Sequence, residues 1–117
     1  MRTTILIPTL IMLMAGVAFM QSEPKAIKFA EFGPMSQAGV KARMHGFMEE
    51  LYNGRNWQGY IITYGTPKAI AARRKQITNS ITFLRLDPSR LTFVDGFEKK
   101  VRTVMWIVPA GARPPTP

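Results

Sequence analysis

Three consecutive basic residues, Arg73, Arg74 and Lys75, are the side chains of this 117-residue chain best placed for chemistry. They follow a turn at Gly65 and fall in the first half of a predicted helix, where the helix dipole is already positive and further cations are mildly unfavourable. Guanidinium groups bind carboxylates and phosphates through paired, charge-assisted hydrogen bonds. The arrangement therefore favours an anion-binding site, with a solvated basic helix face as the plainer alternative.

The basic residues are concentrated in one part of the chain. The sequence has 16 Lys and Arg against 7 Asp and Glu. No acid lies between Glu50 and Asp87, an interval with six bases: Arg55, Lys68, Arg73, Arg74, Lys75 and Arg85. A one-sided field of this kind steers anionic ligands toward the protein, with or without a defined pocket.

Enzyme chemistry finds little support in the sequence. His45 is the only histidine, and it lies four residues after Lys41 and four before Glu49. This spacing predicts a solvated helix face with a His45–Glu49 contact. Glu49 and Glu50 are adjacent, so on a helix they point about 100° apart and do not form an acid–base pair. Without a glycine-rich phosphate loop, a nucleophile elbow or a metal-ligand cluster, we expect no catalytic residue, no cofactor and no metal.

The N-terminus predicts export. Arg2 is the only charge in the first 22 residues, and residues 5–20 are almost wholly apolar. Such a segment is short for a hydrocarbon core of about 30 Å, but it fits the positive start and apolar middle of a secretory signal. We assign residues 1–20 to this signal peptide, with cleavage after Ala18 favoured over cleavage after Met20. The alternative, an uncleaved anchor, is disfavoured by length, so the prediction is a periplasmic or otherwise exported protein.

Removing Arg2 with the signal leaves fifteen bases and seven acids, a net charge of about +8. In a cytosolic protein this balance would indicate nucleic acid. Behind a signal peptide it indicates anionic envelope material instead, such as wall-peptide carboxylates, phosphorylated glycolipids or acidic lipid heads. The chain has no cysteine, so no disulfide framework is available.

The elements that position these residues follow from apolar periodicity and from turn residues. Ser36 and Thr66 are placed to cap two helices, and Pro67 suits a first helical turn. The buried stripes are predicted at Val40, Met44, Phe47, Met48 and Leu51 in the first helix, and at Ile70, Ile77, Ile81 and Leu84 in the second. Strands are expected near residues 26–32, 57–64, 91–94 and 101–108, with a turn at Asp95-Gly96 after the third.

The resulting order, β-α-β-α-β-β, predicts an α+β two-layer sandwich, with both helices packed on one face of a mixed sheet. Residues 21–108 form this domain. Residues 109–117 contain four of the nine prolines and are predicted to be a disordered tail.

This order and several local phrases resemble the OmpA C-terminal-like domain, the peptidoglycan-associating module of bacterial envelopes. The resemblance extends over residues 27–108. It is carried by residues 27–32, 59–65, 71–86, 87–91, 95–98 and 100–102.

The resemblance implies peptidoglycan as the partner, held through the carboxylate and amine of a diamino acid in the stem peptide. In the family an arginine on the second helix binds the carboxylate. Arg73 lies nearest that position, with Arg74 as the alternative. Tyr64 occupies the place of the family's ammonium-binding aspartate, where it is either a ligand contact or an ordinary strand aromatic. Arg102 is the next candidate for lining the same end of the sheet.

Two functions therefore remain open. One is a non-enzymatic, exported envelope-binding module that associates with peptidoglycan through its basic helix. The other is a divergent scaffold of the same fold that has lost wall binding and meets a protein or an anionic lipid. Neither involves nucleic acid or, after signal cleavage, a stable membrane span.

Overall fold

The structure of the protein is a computed structural model that describes residues 23–117. The predicted signal peptide lies outside the described residues. The elements are β1 (Ile27–Phe32), α1 (Gln37–Tyr52), β2 (Gln58–Gly65), α2 (Pro67–Leu84), a short 3-10 helix (Pro88–Arg90), β3 (Leu91–Phe97) and β4 (Arg102–Val108). This order confirms the predicted β-α-β-α-β-β arrangement.

The four strands form one mixed sheet in the order β1-β4-β2-β3. The last strand lies inside the sheet, antiparallel to both β1 and β2, whereas β2 and β3 are parallel. Because β1, β2 and β3 all run the same way, their carboxyl ends meet at one end of the sheet, together with the start of β4. The N-termini of both helices lie at that same end.

Both helices pack on one face of the sheet, here called the inner face, as predicted. The inner-face residues Ile61, Met105 and Ile107 are buried in one cluster with the α1 stripe. All five predicted members of that stripe are buried: Val40, Met44, Phe47, Met48 and Leu51. Helix α2 differs from the prediction, because it buries Arg73 and Ser80 along with Ile70 and Ile77.

Both helices start at the predicted caps. The Ser36 hydroxyl accepts from the Gly39 N–H at 3.2 Å, and the Thr66 hydroxyl accepts from the Ala69 N–H at 3.2 Å. Each bond satisfies one of the backbone donors that a helix start leaves free. Helix α2 ends at Arg85, whose backbone is left-handed with φ 54°.

The C-terminus of α1 is held by a residue far along the chain. Arg90 donates to the carbonyl oxygens of Leu51 (3.2 Å), Gly54 (2.7 Å) and Trp57 (2.9 Å). Leu51 lies in the last turn of α1, where a cation complements the helix dipole, and Gly54 and Trp57 lie in the connection to β2. Arg90 therefore fastens the start of β3 to the end of α1.

The predicted turn at Asp95-Gly96 is wrong, because β3 continues through both residues to Phe97. The ring of Tyr64 on β2 lies over Gly96, with a ring carbon 2.5 Å from the point where a Cβ of Gly96 would be. Gly96 thus serves close packing between strands rather than a reversal of the chain. Pairing extends further, since the Glu98 N–H donates to the Gly65 oxygen at 3.1 Å.

After β4 the chain reverses at a turn in which the Ala112 N–H donates to the Pro109 oxygen at 3.0 Å. The Cβ of Pro117 then lies 3.2 Å from the position that a Gly96 Cβ would occupy. The end of the tail therefore lies on the outer face of the sheet, beside the end of β3. The disorder expected for residues 109–117 stays a prediction.

Within residues 23–117, neither helix has the combination of length and apolar character that crossing a membrane requires.

Candidate ligand-binding site

The four predicted site residues lie at the same end of the sheet but on opposite faces. Tyr64 and Arg102 are cross-strand partners whose side chains lie on the outer face. Arg73 and Arg74 belong to α2 and lie on the inner, helix-covered side. The structure therefore brings the four together in pairs rather than in one pocket.

Arg73 is buried, with 3% of its surface exposed. Its guanidinium donates to the Gly33 oxygen at 2.6 Å, to Thr103 Oγ1 at 2.7 Å and to Gln76 Oε1 at 3.0 Å. These acceptors are neutral, and burial lowers the pKa of Arg73 from its ordinary value. Arg73 connects α2 with the end of β1 and the start of β4, and its position under the surface gives it a structural role.

Arg102 and Tyr64 form a stack on the outer face, with the guanidinium carbon 3.8 Å from the ring centre. The Arg102 guanidinium also donates twice to the carboxylate of Glu98, at 2.9 and 3.0 Å. The hydrogen bond from Arg102 holds the pKa of Glu98 below its ordinary value. Glu31 lies 3.7 Å from the same guanidinium. The charge of Arg102 is therefore compensated within the protein.

Arg74 and Asp95 form a different kind of pair. Arg74 Nη2 lies 2.6 Å from Asp95 Oδ1, and the two side chains are 36% and 47% exposed. The guanidinium stacks 4.9 Å from the ring centre of Phe93. Its Nε is buried and makes no hydrogen bond with any described residue. A cation and an anion are thus presented side by side with unused hydrogen-bonding capacity.

The pair lies in a groove of about 400 Å³ between the first turns of α2 and the end of β3. The other side chains that line it are apolar: Pro67, Ile70, Ala71 and Phe97. An arginine takes a carboxylate and an aspartate takes an ammonium, so the groove suits a ligand that carries both groups beside a hydrocarbon portion.

Asp95 is not among the site residues predicted from the sequence, because the Asp95-Gly96 pair predicts a turn there. The signal that would have found it is alternation: Phe93, Asp95 and Phe97 share one face of a strand, whereas Thr92, Val94 and Gly96 share the other. A strand that continues to Phe97 places Asp95 on the face of the sheet that α2 covers.

This end of the molecule is basic. Lys68 lies in the first turn of α2, and Lys99 and Lys100 lie in the exposed connection between β3 and β4. Six bases and three acids meet here: Lys68, Arg73, Arg74, Lys99, Lys100 and Arg102, with Glu31, Asp95 and Glu98. The surplus of positive charge favours the approach of an anionic ligand.

No group of three or more His, Asp or Glu side chains in residues 23–117 is arranged to hold a metal ion. His45 lies 3.3 Å from Glu49 on the exposed side of α1, which confirms the predicted contact.

The fold and the groove define a small two-layer α+β domain with an exposed Arg–Asp pair at one end of its sheet. Comparison with known protein families, with curated proteins and with solved structures gave no match for this chain.

Proposed function

We propose that this chain is an exported, non-enzymatic module that binds the cell envelope by associating non-covalently with the peptidoglycan stem peptide. The observation that carries the proposal is the exposed Arg74–Asp95 pair in an apolar groove. Arg74 takes the carboxylate of the diamino acid and Asp95 takes its ammonium. The apolar N-terminal segment, the net positive charge and the OmpA-like resemblance support the same assignment.

The pair is able to exchange its internal bond for a ligand. One bond, from Nη2 to Oδ1, joins Arg74 to Asp95, which leaves the second carboxylate oxygen and the second terminal nitrogen of the fork for other partners. An exposed ion pair contributes only about 0–1 kcal/mol, so its opening costs little. A carboxylate and an ammonium on the same carbon reach both side chains at once. Ile70 and Phe97 provide apolar surface for the aliphatic portion of the diamino acid.

In this proposal Arg73 is a positioning residue. It holds the start of β4 and the end of β1 beneath α2, and so fixes the helix turn that presents Arg74. Tyr64 and Arg102 support the end of the sheet from the other face. Of the four residues selected from the sequence, Arg74 is the one that contacts ligand.

The proposal is tested by titrating the full chain, in mild detergent at 150 mM salt, with a soluble stem-peptide fragment that carries the diamino acid. Backbone amide shifts are expected at Arg74, Asp95 and Phe97. Because a hydrogen bond to a charged group contributes about 1.5–3 kcal/mol, Asp95→Asn should weaken binding roughly ten- to hundredfold. The Lys25→Glu variant is the control, since Lys25 precedes β1 at the opposite end of the sheet.

The ligand supplies a second control. A fragment whose diamino acid is amidated at the carboxyl group should lose the contribution of Arg74, and an N-acetylated fragment should lose that of Asp95. If both modified fragments bind as well as the parent, or if no residue of the groove shifts, the assignment is wrong.

The burial of Arg73 favours a second candidate function. The arginine nearest the family position is engaged inside the domain, as expected for a scaffold that has lost wall binding and uses its basic surface for a protein or an anionic lipid. In that case Lys68→Glu and Lys25→Glu weaken binding to the partner equally. Modest salt then abolishes binding, because exposed charges are screened beyond about 10 Å at 0.1 M.

A further inference from the structure

The outer face of the sheet is covered although no helix packs on it. At its centre Ile62 is 0% and Val104 is 3% exposed. These two residues are cross-strand partners on β2 and β4. Aromatic side chains flank them on the same face: Tyr64 on one side, and the paired Tyr60 and Trp106 on the other. The face is therefore an apolar strip bordered by aromatic rings.

The C-terminal end of the tail lies on this face. The tail leaves β4 at Val108, the end of the sheet far from Gly96, and it ends with Pro117 against Gly96 and the Tyr64 ring. Because β2 lies between β4 and β3, we infer that the last residues of the tail cross β2 on the outer side. The first part of the tail stays near the start of β1, because it turns at residues 109–112 and brings Gly111 beside Pro24.

The tail has the composition of a polyproline II ligand. Residues 113–117 read Arg-Pro-Pro-Thr-Pro, and each proline ring fixes φ near −65°. Arg113 and Thr116 precede prolines and are held in extended conformations for that reason. The segment thus loses little conformational entropy when it binds. Grooves lined by aromatic rings recognise proline-rich segments in this way.

We propose that the outer face of the sheet is a binding groove for proline-rich segments in the polyproline II conformation. The chain's own tail is its resident ligand, and a Pro-Pro-x-Pro segment of a second polypeptide replaces it. This site lies on the opposite face of the sheet from the Arg74–Asp95 groove. Binding of a proline-rich segment does not depend on whether peptidoglycan binds to that groove. A tethered segment acts at an effective concentration in the millimolar range, so the external segment binds strongly only when the tail is released.

The test uses the full chain in mild detergent and a tail-released variant in which Pro114, Pro115 and Pro117 are replaced by serine. A fluorescently labelled peptide of residues 109–117 is titrated into both, and its anisotropy is measured. We expect saturable binding to the tail-released variant and binding at least about tenfold weaker to the unmodified chain. A matched peptide with serines in place of those three prolines should not bind.

The location is tested with a peptide that carries a photoreactive group at the position of Pro117. Cross-links are expected on residues 60–64 and 92–96. The same cross-linking at millimolar peptide on the unmodified chain keeps the test decisive if the variant fails to fold. Equal affinity for the two chains, no saturable binding by either, or adducts confined to α1 and α2 would overturn the proposal.

Discussion

The Nη1 atom of Arg73 lies 2.7 Å from the hydroxyl oxygen of Thr103. This hydrogen bond joins the second turn of α2 to the start of β4. Thr103 is fully buried and is also 3.5 Å from the hydroxyl of Thr63 on β2. The guanidinium thus enters a polar centre within an otherwise apolar layer. Because Arg73 points into the domain, its neighbour Arg74 is the arginine that faces the groove.

Replacing Arg73 by alanine should lower the free energy of unfolding by about 3 kcal/mol, because it removes packing and leaves the Gly33 carbonyl and Thr103 without their donor. Arg73→Met, which keeps much of the volume, should cost less. Urea denaturation measures both. Arg74→Ala is the matched control and should cost under about 1 kcal/mol. Equal small losses at positions 73 and 74 would contradict the structural role of Arg73.

Arg90→Ala should destabilise the protein by roughly 2–3 kcal/mol, because the carbonyl oxygen of Leu51 in the last turn of α1 and those of Gly54 and Trp57 in the following connection lose a charged donor. Lysine, which has no planar fork, should restore only part of the loss. Hydrogen exchange should show faster opening of the last turn of α1 in the alanine variant. Arg55→Ala, on the exposed connection nearby, should change neither the stability nor the exchange.

Arg85→Gly should raise the free energy of unfolding by about 0.5–1 kcal/mol. Arg85 has a left-handed backbone at the end of α2, a conformation that costs a residue with a Cβ about 1 kcal/mol or more. Glycine relieves this cost but adds freedom to the unfolded chain, which limits the gain. Arg85→Ala retains the Cβ and should bring no gain. Thermal unfolding of the three proteins distinguishes the backbone effect from the loss of charge.

The pairing of Glu98 with Arg102 should make stability depend on pH in the acid range. The folded-state pKa of Glu98 is below its ordinary value, so the unfolded chain binds the proton more readily. The pair therefore stabilises the fold at neutral pH, and this stabilisation is lost as the pH falls through the ordinary pKa and then the lowered one. Denaturant titrations from pH 7 to pH 3 should show a shallower fall for Glu98→Gln. An unchanged slope would exclude the pair as a contributor.

The features that the sequence predicts correctly are local ones. Ser36 and Thr66 act on backbone groups three residues away, and the α1 stripe follows from a repeat within one helix. These caps and this stripe can be predicted without knowing which residues lie on the other side of the domain. The alternation of strands and helices then restricts the architecture to two layers.

The features that the sequence fails to predict depend on partners far along the chain. Arg73 was expected to be a ligand contact or a surface charge, because its acceptors lie 40 and 30 residues away at Gly33 and Thr103. Gly96 indicates a turn in isolation, and only the Tyr64 ring shows why a glycine is needed within a strand. Asp95 is missed for the same reason, because the predicted turn at Asp95-Gly96 hides its place on the strand.

The interior position of β4 has a consequence for how the protein is made. The sheet order β1-β4-β2-β3 means that the first strand has no neighbour until the last one has been synthesised. The chain emerges with its N-terminus first, from a ribosome or through a translocation channel. At that stage β2 can pair with β3, but β1 and the side of α1 next to it have no partner. Completion of the domain is thus tied to the arrival of residues 102–108. A chain cut short before that point has an open sheet edge and stays available to chaperones or proteases.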